Sequence, residues 1–204
     1  MLDSMGLWKQ IDADFMKKRG IVMPDDYQGA IMTMNLYEAA VYTIERFGLR
    51  EAAADIVSEW KAMVAYAYKN TVRMKPYAKE YIQRMYECGA KMAIATSLSS
   101  DLYEPALNAH GIARFFHACC STAEVPHGKS HPDVFLLAAQ KLGTPPADCV
   151  VYEDLLIAVK SAKSAGMAVY GVYDESSRGD WAQIIKEADY AFLDFRDAPP
   201  FSTP

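Results

Sequence analysis

The chain has 204 residues, with 21 basic and 26 acidic side chains, a formal net charge of −5 and a hydrophobic share of 51%. That apolar share excludes a disordered chain, and at this length folding buries roughly 70% of the unfolded surface, enough for a proper core. Mild acidity speaks against a nucleic-acid or anionic-membrane partner, since both call for clustered Lys/Arg, and no apolar run nears the ~18–20 residues that span a bilayer.

Up to about residue 72 the pattern is helical. Met5 to Lys18 carries Leu7, Trp8, Ile11 and Phe15 at helical spacing, and Gly20 marks a stop. Tyr37 to Phe47, followed by Gly48, predicts a second helix, and Glu51 to Tyr68 a third. Asp12-Ala13-Asp14 falls within the first helix and reads as part of its exposed face. Met23, Met32, Met34, Met63, Met74, Met85 and Met92 read as core filler.

After residue 72 helices and strands alternate. Pro76 to Glu87 predicts a helix with a proline in its first turn. Lys91 to Thr96 follows as a buried strand. A helix over Leu102–His110 is closed by Gly111, and Phe115 to Ser121 is strand-like. A helix over Pro132–Leu142 is closed by Gly143. Then come a strand at Cys149–Tyr152, a helix at Ile157–Ala165 closed by Gly166, and a strand at Ala168–Tyr173. Trp181–Glu187 is a helix, Ala191–Phe195 a last strand, and the tail Ala198–Pro204 is expected to be disordered. This alternation predicts an α/β domain with a parallel sheet and helices on both faces.

Ligands of such sheets bind at the carboxyl ends of strands. Three places qualify. Glu153 and Asp154 follow an apolar strand, where two adjacent carboxylates are costly unless compensated. They read either as Mg²⁺ ligands or as a solvated loop in which Asp154 caps the next helix. Thr96 and Ser97 end another strand before a helix, as a phosphate cradle or as a simple capping turn. Lys129, in a loop ahead of Pro132, either neutralises a phosphate or is solvated. His110, His117, His127 and His131 lack a metal-ligand spacing; His127 and His131 are four apart, but Pro132 opposes a helix across both.

The order of these segments resembles the haloacid dehalogenase-like hydrolases, in particular the phosphatase and beta-phosphoglucomutase group with a helical cap. Ile94-Ala95-Thr96-Ser97 is similar to that group's second motif and Gly128-Lys129-Ser130-His131-Pro132-Asp133-Val134-Phe135 to its third. Val150-Val151-Tyr152-Glu153-Asp154, running on to Ala165-Gly166-Met167, is similar to its fourth. Asp3-Ser4-Met5-Gly6-Leu7-Trp8 resembles the end of the first motif, D-x-D-G-T-L-x-D-S. The resemblance implies a remnant of the first motif at residues 1–6, a helical cap over 7–72 and a Rossmann-like α/β core over 73–204.

Three positions depart from the group. Ser130 stands where a proline is usual, and Leu155 and Ala158 replace a serine and a glycine of the fourth motif. The first motif's two aspartates, nucleophile and general acid/base, would lie upstream of Met1 and are not among these residues. The strand carrying them is central in the family's sheet, between those ending at Thr96 and Tyr152. Without it those two strands would close up directly, borrow a strand from a partner, or leave the chain marginally stable.

In a complete member, Mg²⁺ held by Glu153 and Asp154 would neutralise the phosphate while Thr96, Ser97 and Lys129 held its oxygens. The resemblance thus implies a phosphatase of a small, sugar-phosphate-type metabolite, with little or no turnover by these 204 residues. The alternatives are a beta-phosphoglucomutase-like isomerase, for which no convincing substrate-turning residues stand around Met32–Glu38, and a non-catalytic binder of phosphate esters or protein. An open sheet edge would favour self-association. The acid at Asp3, where a signal peptide carries a basic region, and four cysteines (Cys88, Cys119, Cys120, Cys149) without a CxxC pair predict a cytoplasmic, reduced protein.

Overall fold

The computed structural model describes residues 1–31, 34 and 36–200. The chain divides into two compact units, Ser4–Val72 and Met1–Asp3 together with Arg73–Pro204.

The first unit is helical: α1 (Leu7–Lys18), α2 (Tyr27–Ile31), α3 (Leu36–Phe47) and α4 (Ala53–Asn70). The apolar spacing of α1 turns Ile11, Phe15 and Met16 inward. Phe15 meets Trp60 of α4 edge-on, ring centroids 5.3 Å apart. Arg19 lies over the Phe15 ring and pairs with Glu51 and Glu59 at 2.8 and 2.6 Å. Gly20 (φ 70°) ends α1 in the left-handed region that a helix stop favours.

Two expectations for this unit need correction. The short helix α2 carries no long apolar period and was not predicted; its Tyr27 is buried and hydrogen-bonded to Thr43 of α3 at 2.7 Å. Asp12, expected on the exposed face of α1, is buried because α2 sets Gln28 against it, the Gln28 amide donating at 2.5 Å. Asp14 is exposed as expected. Met32 lies outside the described residues, as do Thr33 and Asn35 within the Met32–Glu38 stretch.

The second unit opens with β1 (Leu2–Asp3), antiparallel to β2 (Arg73–Met74). Neither strand was predicted: two residues are too few to show a period. Helix α5 (Ala78–Glu87) leads to β3 (Ala93–Thr96), which runs parallel to β4 (Ala118–Ser121) with α6 (Ser100–Ala109) between them. After α7 (Asp133–Leu142) come β5 (Val150–Glu153), α8 (Leu156–Ser164), β6 (Ala168–Val172), α9 (Trp181–Glu187) and β7 (Tyr190–Phe192). β5, β6 and β7 form a parallel sheet in that order.

Among the described residues β3 and β5 share no ladder, so the strands on either side of the expected central position do not close up directly. One cluster nevertheless joins β4, α7, α8, β6 and α9 through Cys120, Val134, Phe135, Val159, Val169 and Ile184.

The predicted strand Phe115–Ser121 is shorter than expected. Residues 113–115 form a single 3₁₀ turn, and Phe115 is apolar because it packs with Ile82, Leu107 and Ile112. The last strand ends at Phe192, while Phe195 joins Tyr81 and Phe192 in a separate cluster. The tail is ordered further than predicted: Ala198 is buried, and the Tyr81 hydroxyl donates to the Pro199 carbonyl at 2.7 Å. Phe201–Pro204 of that tail lie outside the described residues. All four cysteines are free thiols. Among the described residues no helix is long and apolar enough to cross a membrane.

Candidate active site

Parallel strands present free backbone groups at their carboxyl ends, and helices that follow add N–H groups there. β5 ends on Glu153, with Asp154 next. Glu153 is 5% exposed. Its carboxylate receives the Lys129 ammonium on Oε1 and the Asp154 backbone N–H, at 3.2 Å, on Oε2. Lys129 comes from the loop between β4 and α7 and also faces the Phe135 ring at 5.7 Å. Two of the predicted residues, far apart in sequence, are thereby brought into direct contact.

Asp154 is partly buried. Burial and then the Glu153 carboxylate push its pKa up, against the pull of neighbouring cations. One of those cations is Lys75, which follows β2; its Nζ lies 3.8 Å from Asp154 Oδ2. The same Nζ donates to Asp174 Oδ2 at 2.5 Å and to the Tyr173 carbonyl at 2.9 Å. Burial alone would raise the pKa of Asp174, but the bonds from Lys75 and from the Ser176 N–H hold it below the usual carboxylate range. The Met1 amino group is buried beside the same carboxylates, and burial lowers its pKa to about 6.

Thr96 ends β3 in register with Ser121 of β4. Its hydroxyl accepts the Leu98 N–H at 3.1 Å and so holds its own turn. Ser97 is exposed at that turn. Ser121 Oγ donates to the Leu98 carbonyl at 2.8 Å and ties the turn to β4. His127 and His131 stack with centroids 4.4 Å apart on the surface near Lys129. Among the described residues no three His, Cys, Asp or Glu side chains gather as a metal-holding group.

Lys75 and Asp174 escaped the sequence reading. Asp174 was within reach of the strand-end rule, since it lies two residues beyond β6. Lys75 carries no comparable signal.

The family model for haloacid dehalogenase-like hydrolases matches residues 6–166. The chain belongs to this family. Among relatives of this haloacid dehalogenase-like hydrolase is a Drosophila melanogaster protein named "Probable pseudouridine-5'-phosphatase". It is 27% identical over 180 residues, covering 85% of this chain and 78% of that one. Fructose-1-phosphate phosphatase YqaB of Escherichia coli (strain K12) is 40% identical over 76 residues, 37% of this chain and 40% of its own. The fold is shared with the crystal structure of CbbY from Rhodobacter sphaeroides in complex with phosphate: TM-score 0.73, 21% identity, 97% of this chain and 91% of that one.

Proposed function

We propose that the chain carries the phosphate-ester site of a Mg²⁺-dependent phosphatase for a small phosphorylated metabolite of the sugar-phosphate type. The observation that carries this reading is the Lys129–Glu153 contact with Asp154 adjacent, which gathers one cation and two carboxylates at the end of β5. Relatives named for pseudouridine-5'-phosphate and fructose-1-phosphate support the substrate class.

In this reading Lys129 neutralises the phosphate, and the Thr96 and Ser97 hydroxyls hold its oxygens. The helical unit Ser4–Val72 is the cap, and the protein is cytoplasmic. Mg²⁺ fits the donor chemistry: two adjacent hard carboxylates suit a cation that binds through one or two carboxylates and the substrate's phosphate. Glu153 and Asp154 would hold the ion, which would supply charge neutralisation to the phosphate.

In this reading the nucleophile is an aspartate of the first motif, which is not among the 204 residues, and the residues present supply phosphate-ester binding. The test is Mg²⁺-dependent phosphate release from an aryl phosphate, after circular dichroism has confirmed folding. A folded chain with no release above a Lys129→Ala background fits. Release that survives in wild type and is lost in Asp3→Asn would reassign the nucleophile. Self-association through an open sheet edge belongs to the same reading, and light scattering across a concentration series would detect it.

A further inference from the structure

Lys75 is 6% exposed, and its ammonium is held among three acceptors: Asp174 Oδ2 at 2.5 Å, the Tyr173 carbonyl at 2.9 Å and, farther off, Asp154 Oδ2 at 3.8 Å. An ammonium has three donors and no acceptor. Two of its donors are spent on the segment just after β6, and the 3.8 Å separation from Asp154 exceeds an N–H···O hydrogen bond. Asp174 is itself 4% exposed and is fixed from the other side by the Ser176 N–H at 2.9 Å. A cation buried next to a carboxylate competes with any metal for it, because both stabilise the same negative charge. Two cations stand near Asp154, the Met1 amino group and Lys75, and of these Lys75 is anchored to a different carboxylate.

We propose that Asp174 is a positioning residue that holds the Lys75 ammonium off Asp154, and so keeps the Asp154 carboxylate available to a divalent cation. The inference rests on the reading of Glu153 and Asp154 as the Mg²⁺ ligands. It differs from a purely structural role for the Lys75–Asp174 ion pair in one respect: loss of Asp174 does harm only while Lys75 is present. Asp174→Asn keeps the size of the side chain and an oxygen to accept the Ser176 N–H, but releases Lys75 to pair with Asp154. Lys75→Met/Asp174→Asn removes both the anchor and the competitor with no change in net charge.

The experiment is titration of the full chain with MgCl₂ by isothermal titration calorimetry, with folding checked by circular dichroism. The expected result is a roughly 10-fold loss of Mg²⁺ affinity in Asp174→Asn, the scale seen when groups that orient metal ligands are altered, with affinity restored in Lys75→Met/Asp174→Asn. Mg²⁺ affinity unchanged in Asp174→Asn, or lost equally in the single and double variants, overturns the proposal. Should the double variant not fold, Asp174→Glu takes its place: retained charge must retain affinity, and a loss equal to that of Asp174→Asn counts against the proposal. Wild type that binds no Mg²⁺, or binds it as Asp154→Asn does, overturns the metal-site reading itself and this inference with it.

Discussion

Lys129 and Glu153 meet ammonium to carboxylate, joining the loop before α7 to the end of β5, with the carboxylate buried and the lysine side chain 19% exposed. Removing the lysine strands a buried charge. Lys129→Ala is therefore expected to cost about 2 kcal/mol of stability, below the ~3–5 kcal/mol of a fully buried pair. Urea denaturation with matched slopes measures it.

Asp154 behaves in the opposite way. Its charged form is disfavoured by burial and by Glu153. Asp154→Asn should leave the chain at least as stable as wild type near pH 7 in EDTA. It should also abolish any rise in melting temperature on adding MgCl₂. Thermal melts in EDTA and in MgCl₂ separate the two effects.

Burial pushes the pKa of Asp12 up to about 6, with the Gln28 amide pulling the other way. An ordinary aspartate sits near ~3.9. Between those values the folded chain holds a proton that the unfolded chain has released. Stability from this group is thus greatest below pH ~4, falls as pH rises through 6, and is constant above. Wild type minus Asp12→Asn is the proper comparison, because Asp174 and Asp189 shift downward and act in the other direction. The variant's relative stability should grow from pH 4 to pH 7 in denaturant melts.

Gly171 lies in β6 directly under α9. A Cβ there would stand 2.6 Å from Ile184 Cγ2, a fully buried side chain. Gly171→Ala should cost about 1–3 kcal/mol by overpacking. Adding Ile184→Ala removes the methyl that would clash, so the double variant should lose less than the sum of its parts in a denaturation cycle.

Much of the second unit was legible because its signals are local. Gly143 and Gly166 stop α7 and α8 in the left-handed region where they were expected to. The strand-end rule led to Thr96, Glu153 and Asp154, and the structure brings Lys129 onto Glu153. What escaped depends on distant partners. Lys75 follows a two-residue strand and is buried by Asp174, 99 positions away. Asp12 was misplaced because its burial depends on α2, whose five residues are too short to show a helical period. The buried end of the tail depends on Tyr81, from α5.

The central claim is that Lys129, Glu153 and Asp154 form a Mg²⁺-dependent phosphate site. Calorimetric titration of the folded chain with inorganic phosphate, in MgCl₂ and again in EDTA, tests it most directly. The account predicts binding in MgCl₂ that weakens at least roughly 10-fold in EDTA and in Asp154→Asn, and that is lost in Lys129→Ala. Equal phosphate affinity in MgCl₂ and EDTA, unaffected by either substitution, would contradict it.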